Sequence, residues 1–428
     1  MCYHKAGNAF GRNAFPCKKQ LTVDKDEERG AYSYQGEDQG EKNRTYVNED
    51  KAETGDGTIY VQDGNAPTTD NSDNGTEVPT PTDNDTQSTD ASGNNTENSP
   101  TSETTTTNTI TVKEDVKDAT IVVDGVNVDT SDTSTTTDTP AEVPADADTK
   151  EDKTIIKVGE GADVDLTVRD SNLTTGGHGI DIGVNLEGED DNKGANVDLT
   201  LDNTQINLTQ NGKVGINVQD NSDVDLTLKD KNTIDGSKAI ENEKESILTS
   251  SVNVEGIRVG DGGASDGSGT SEGANTKLTI SGGVEKTETA ETDTEETESP
   301  AGGSLTISDT TGGLVMADGS DVEITDGANV TIEETKTSGS TQAGRGVTQH
   351  GDLTLSGGSS LTIDGGKDNK APHTGIGIAS WDDITVEDGS TLDISGAATG
   401  IYGHQGASLT TEDSTLNITN SDAGIRYE

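Results

Sequence analysis

The chain is poor in the residues that usually fill a protein interior. Its 428 residues include 1 Trp, 2 Phe and 7 Tyr, which excludes a single large core built on aromatic bulk. Cysteine is equally scarce. Cys2 and Cys17 are the whole supply, too few for a disulfide scaffold; they are either one local bridge or incidental residues of a tail. Positive charge is in deficit, with 29 Lys and Arg against 81 Asp and Glu, a formal net charge of −52. That balance argues against nucleic acid and anionic lipid as partners, and suits a self-repelling protein or one bathed in divalent cations. No apolar run approaches the roughly 20 residues of a membrane span. The N-terminal stretch MCYHKAGNAFGRNAFPCKKQ carries no apolar segment of the kind a signal peptide needs.

Only 26% of residues are apolar, so disorder is a serious rival unless those few are strictly ordered. Residues 1–109 read as a largely disordered acidic region rich in Thr, Asn and Asp, with a short strand expected at Thr58-Ile59-Tyr60-Val61 and a structureless tract at 66–107. From Ile110 the texture changes. Alternating motifs recur: VDLTV at 164–168, VDLTL at 197–201 and 224–228, KLTI at 277–280, SLTI at 304–307, DVEI at 321–324, DLTL at 352–355, DITV at 383–386, SLTT at 408–411. Each has the period of two that puts Val, Leu and Ile on one face of a strand and Asp or Thr on the other. A second short strand often follows, as at Leu361-Thr362-Ile363 or Leu416-Asn417-Ile418. A third element is Gly before Ile or Val: Gly179-Ile180, Gly215-Ile216, Gly346-Val347, Gly375-Ile376, Gly400-Ile401, Gly424-Ile425.

Spacing decides the architecture. Val197 to Val224 is 27 residues, Gly375 to Gly400 is 25, and Gly400 to Gly424 is 24. Three short strands in constant order at that period make one coil of a three-sided parallel β-solenoid. Stacking at about 4.8 Å per coil turns single aliphatic residues into continuous ladders, so a sparse apolar content suffices. The expectation is an all-β chain whose residues 110–428 form about ten coils, with acidic or Gly-rich inserts at 131–152, 187–194, 259–275 and 284–300 leaving from corners. Leu199, Leu226, Ile376 and Ile401 are expected to point inward.

Strings such as SGGSSLTIDGG at 356–366 and GASLTTEDSTLNITNSDAGI at 406–425 resemble the repeats of the pectate-lyase-like right-handed parallel β-helix, as used in bacterial adhesin-like and autotransporter-passenger-like surface proteins. The resemblance implies an extracellular or cell-surface location and a structural or adhesin-like, non-enzymatic role, with a glycan or protein of host or extracellular origin as partner. The alternative it carries is a polysaccharide-degrading enzyme, lyase or hydrolase. The final coil, 408–428, shows no cap in sequence, which leads to an expectation of fraying or end-to-end self-association.

Candidate sites are few. Asp165, Asp198 and Asp225 hold the same outward place in three successive motifs. If coils stack in register, these carboxylates form a column about 5 Å apart, which either solvent and salt screen or a hard cation such as Ca²⁺ bridges. No basic residue recurs beside them, so no catalytic residue and no organic cofactor are assigned. Counted from the Gly-Ile elements, His373 precedes Gly375 by two and His404 follows Gly400 by four, while Trp381, Tyr402 and Tyr427 sit at offsets of 6, 2 and 3. They read as unstacked surface histidines and scattered aromatics. Gly263-Ala264-Ser265-Asp266-Gly267 matches a hydrolase nucleophile motif, but in a loop of a chain without helical periodicity it reads as chance.

Overall fold

The computed structural model describes residues 109–131, 153–186, 193–242, 253–260, 275–283, 302–333, 344–365 and 375–428, together with the backbone of strands Gln20–Asp26, Ala31–Tyr34 and Thr58–Gln62. The bulk of the four expected inserts, the tract at 66–107, both cysteines, His4, His373 and the Gly263–Gly267 motif lie outside the described residues.

The chain winds through three sheets in turn, a first of 12 strands, a second of 10 and a third of 9. Each turn adds one strand to each sheet. The coil Lys213–Val218, Asp223–Lys229, Lys231–Asp235 is typical, and nine such coils are complete between Thr109 and Thr419. A tenth strand of the first sheet within this region, Ala423–Tyr427, follows. Pairing is parallel except at one edge, where Gln20–Asp26 pairs antiparallel with Ala31–Tyr34 and parallel with Thr109–Val112. The expected strand at 58–61 is found as Thr58–Gln62, beside Ala119–Asp124. The sheets therefore take up strands from before Ile110.

Each sheet sends aliphatic rows inward. In the second sheet one of them runs Ile121, Leu166, Leu199, Leu226, Ile280, Ile324, Leu355, Val386, paired in register from coil to coil. All eight are at most 1% exposed. The third sheet contributes Leu173, Ile206, Ile234, Ile307, Ile332, Ile363 and Ile394. Each such side chain contributes roughly 1.5–3 kcal/mol when fully buried. Among the described residues no aromatic side chain is in the buried core, which is how so few rings suffice.

The Gly-Ile element has a steric cause. A Cβ on Gly346 would lie 2.5 Å from Ile363 Cγ2 and 2.7 Å from the Gly377 carbonyl oxygen, and a Cβ on Gly377 would meet the Gly400 oxygen at 2.4 Å and Ile394 Cγ2 at 2.6 Å. The glycine is needed so that the first sheet can seat the isoleucine of the third.

That ladder corrects one expectation. The glycine in register with Gly346 and Gly400 is Gly377, because Val347 pairs with Ile378 and Ile378 with Ile401. Gly375-Ile376 lies two residues out of step. Ile376 is half-buried in the outward row with Arg345 and Thr399, and Ile378 takes the core place. Leu199, Leu226 and Ile401 are inward as expected. A second difference concerns SLTI at 304–307. It forms Ser304–Ser308 in the third sheet rather than opening a new coil, because residues 284–301 intervene between it and Thr276–Gly282 of the second sheet.

Corners between the second and third sheets place Asp170, Asn203 and Asp230 at φ of 47°, 49° and 47°. Asp and Asn tolerate this left-handed region better than other side chains because they bond locally. Asn203 Nδ2 donates to Asp170 Oδ1 at 2.7 Å, so even the turns stack.

Candidate functional site

Three groups of side chains stand out on the outer surface. The first is the expected column. Asp198 pairs in register with Asp165 on one side and Asp225 on the other. Val197, Leu199 and Leu201 point inward on the same strand and so force the intervening Asp198 outward. Thr120 precedes the column and Thr279 follows it. Thr120 Oγ1 donates to Asp165 Oδ2 at 3.4 Å. Partial burial pushes the Asp198 carboxyl above the usual carboxylate value, and the charges of Asp165, Asp225 and Asp163 push it the same way.

Among the described residues, one trio of carboxylates brings ligand atoms within 4.8 Å of one another, and it is Asp352, Asp382 and Asp383. All three are exposed at the corner between the first and second sheets. Asp352 and Asp383 immediately precede the strands Leu353–Leu355 and Ile384–Val386, whose first residues pair. Ser408, the matching residue of the next coil, donates its hydroxyl to Asp383 Oδ1 at 2.6 Å. The Asp383 amide donates to Asp382 Oδ1 at 3.1 Å. Burial and the neighbouring Asp382 raise the Asp352 carboxyl. Such an oxygen-rich cluster could coordinate a hard cation. Its sequence signal was the shared leading Asp of DLTL and DITV, residues that belong to the corner and not to the strand.

The third group overturns the reading of the histidines and aromatics as scattered. His350, Trp381 and His404 each follow by four the in-register glycines Gly346, Gly377 and Gly400. Their rings form one pile: His350 and Trp381 centroids are 4.1 Å apart at 12°, Trp381 and His404 3.8 Å apart at 13°. Tyr402 meets His404 edge-on at 4.8 Å. The Arg345 guanidinium lies 5.8 Å from the Trp381 ring centre, and that of Arg426 lies 5.7 Å from Tyr402. Both faces of Trp381 are occupied by imidazoles, so it is not an open platform for a sugar ring. Tyr427, by contrast, is 48% exposed at the last strand. His178 is unrelated to this pile; its Nδ1 accepts from the Val214 amide at 3.1 Å.

Among the described residues, no helix is long and apolar enough to cross a membrane. No family model, curated protein or solved structure matches the chain. Its own geometry is that of a three-sheet parallel β-solenoid with an acidic outward row on the second sheet.

Proposed function

We propose that the chain is a non-enzymatic, acidic β-solenoid of the bacterial cell surface or extracellular space, serving as a stalk or adhesin-like module. The observation that carries this reading is the stacking of nine coils through all three sheets, with a register shift in the first sheet between Ile182 and Val184, which makes a rod whose outward rows can vary while the inward rows cannot. Its length is about 40 Å at the usual strand spacing. A second support is electrostatic. Among the described residues, neither carboxylate group has a Lys or Arg hydrogen-bonded to it, the basic partner that the lyase form of the alternative calls for. Ca²⁺ at Asp165, Asp198 and Asp225, or at the Asp352 trio, would act here as a structural counter-ion.

The test uses the whole chain against arrays of extracellular glycans and matrix proteins, with and without Ca²⁺, while oligosaccharide release is followed. Binding without turnover supports the reading. Release of shortened glycans would overturn it in favour of the polysaccharide-degrading alternative, and surface labelling of intact producing cells that appears only after lysis would overturn the location.

A further inference from the structure

The outermost strand of the first sheet, Ala423–Tyr427, stands one coil beyond the outermost strands of the other two sheets at that end of the rod, Leu409–Thr411 and Thr415–Thr419. The face so formed is apolar. Ile425 is 45% exposed, although it continues the first-sheet row in which Ile401 is fully buried. Leu409, Leu416 and Ile418 pack only in part against the core. Strand edges of all three sheets meet solvent here, and such an edge keeps the backbone donors and acceptors that point away from its neighbour.

One residue shows what the face is shaped to receive. In seven successive coils, from Gly179 to Gly400, the first-sheet glycine lies against Cγ2 of the third-sheet isoleucine of its own coil and the carbonyl oxygen of the next glycine in the ladder. A Cβ on Gly400 would sit 2.5 Å from Ile418 Cγ2 and 2.7 Å from the Gly424 oxygen. Gly424 continues the ladder, because Ala423 pairs with Thr399 and Ile425 with Ile401. A Cβ on Gly424, however, would meet nothing within 4 Å, and its backbone is not in the left-handed region. Within the described chain this glycine relieves no crowding and meets no conformational demand. A glycine inside a strand weakens it, and its usual compensation is that another backbone comes close. The notch that holds Ile418 at Gly400 is repeated at Gly424 and opens to solvent.

We propose that this face binds an extended segment of another polypeptide, which adds in parallel beside Leu409–Thr411 and Thr415–Thr419 and lays a β-branched aliphatic side chain over Gly424. The glycine selects that side chain, since each of the seven earlier notches holds an isoleucine. The parallel sense follows the pairings of the strands around it. The donor has to lie outside any sheet of its own. The third-sheet strands of this chain are already held in the rod, so a folded second copy has none among them to give. Two copies end to end also fit poorly. At the other end of the rod it is again the first sheet that projects furthest, through Gln20–Asp26 and Ala31–Tyr34, and two ends that project in the same sheet leave the other two unfilled. Asp413 and Asp422 stand exposed at the rim of a −52 chain, which favours a segment with neutral or basic outward residues. Backbone bonds along the edge supply affinity and the notch supplies selectivity. The inference is independent of the stalk or adhesin role and of any cation at the Asp clusters.

The probe is a fluorophore-labelled synthetic peptide with the sequence of residues 407–420, ASLTTEDSTLNITN, titrated with the whole chain. The expected result is a saturable rise in anisotropy, with slower amide exchange in 409–427 of the protein. Ile418→Asp in the peptide should weaken binding by at least about tenfold, because it sets a charge over the notch in place of a buried isoleucine. Gly424→Val in the protein should weaken it as much by filling the notch, yet the free variant should melt no lower than the parent. Gly400→Val, at a notch already filled by Ile418, should lower the melting temperature. The two glycine variants thus separate binding from folding. No saturable change, or equal affinity in Gly424→Val, would overturn the proposal. A lower melting temperature in Gly424→Val would show that the chain itself already uses the notch, and would overturn it as well. Concentration-dependent sedimentation of the parent that Gly424→Val abolishes would make a second copy the occupant and overturn the assignment to another polypeptide.

Discussion

Two outward ladders run along this solenoid and obey the same register to opposite effect. On the second sheet, three coils place like against like, Asp165, Asp198 and Asp225. On the first sheet, three coils place unlike side chains one over another, and His350, Trp381 and His404 form a close-packed pile. Parallel in-register stacking has no preference of its own. It multiplies whatever the sequence puts at one position of the coil, so a repeated charge becomes self-repulsion and a varied aromatic position becomes cohesion.

The sharpest way to break this comparison is to challenge the register of the first sheet, on which the ring pile depends. Ile378→Asp should bury an unpaired carboxylate in the core row between Val347 and Ile401 and cost several kcal/mol. Ile376→Asp, in the outward row, should cost under about 1 kcal/mol. Thermal melts followed by circular dichroism decide it. If the two costs come out reversed, Gly375-Ile376 is the true repeat element and the pile is lost with it.

Those two isoleucines also show how far the sequence could be read. The three-strand order, the inward rows at Leu199, Leu226 and Ile401, and the Asp column were all legible, because identical strings mark identical positions. At 375–378 the string GIGI offers two Gly-Ile pairs, and alternation alone cannot choose between them, since a slip of two keeps every side chain on its face. What chooses is packing across the coil: only Gly377 meets Ile394 and the Gly400 oxygen. The error moved Trp381 from an offset of four to one of six and hid its neighbours. The Asp352 trio was hidden for a related reason, because its members stand just outside the strands whose repeats were counted.

A milder break targets the like-charge ladder. In chelator, Asp198→Asn should raise the melting temperature by removing the middle of three stacked charges. Millimolar Ca²⁺ should raise the parent more than Na⁺ of equal ionic strength does. If Na⁺ gives the same rise, screening accounts for the column and no cation is held at Asp165, Asp198 and Asp225. If the increment persists in Asp198→Asn and vanishes in Asp382→Asn, the cation sits at the corner trio instead.

Protection should vary along the rod as well. Leu409, Leu416 and Ile418 pack only partly against the core, and Ile425 is 45% exposed, whereas Leu199 and Leu226 are fully buried. Amide exchange is therefore expected to be fastest in 409–427 and slowest in the second-sheet strands at 196–229. Uniform protection in a strict monomer would show that the last coil is closed by something beyond these contacts, and light scattering that grows with concentration would show a second copy closing it.

The smallest expected effect is one of sign. Asp198, Asp202 and Asp352 all have carboxyl values raised above 3.8, with burial the first cause and neighbouring carboxylates the next. A carboxyl raised in the folded chain binds its proton more tightly there than in the unfolded chain. The folded state is then favoured by acid: the contribution is full below the unfolded value and is lost as pH rises through the folded one. Most proteins weaken on mild acidification because their carboxylates are paired; here the stacked carboxylates repel. In chelator and at constant ionic strength, lowering the pH from 7 towards these raised carboxyl values should therefore raise the melting temperature. Asp198→Asn should flatten that rise, because without the central charge Asp165 and Asp225 no longer face a neighbour one coil away. A melting temperature that falls over the same interval, or a rise that Asp198→Asn leaves intact, would mean that the column does not set the balance and that the two ladders differ in chemistry but not in their effect on the fold.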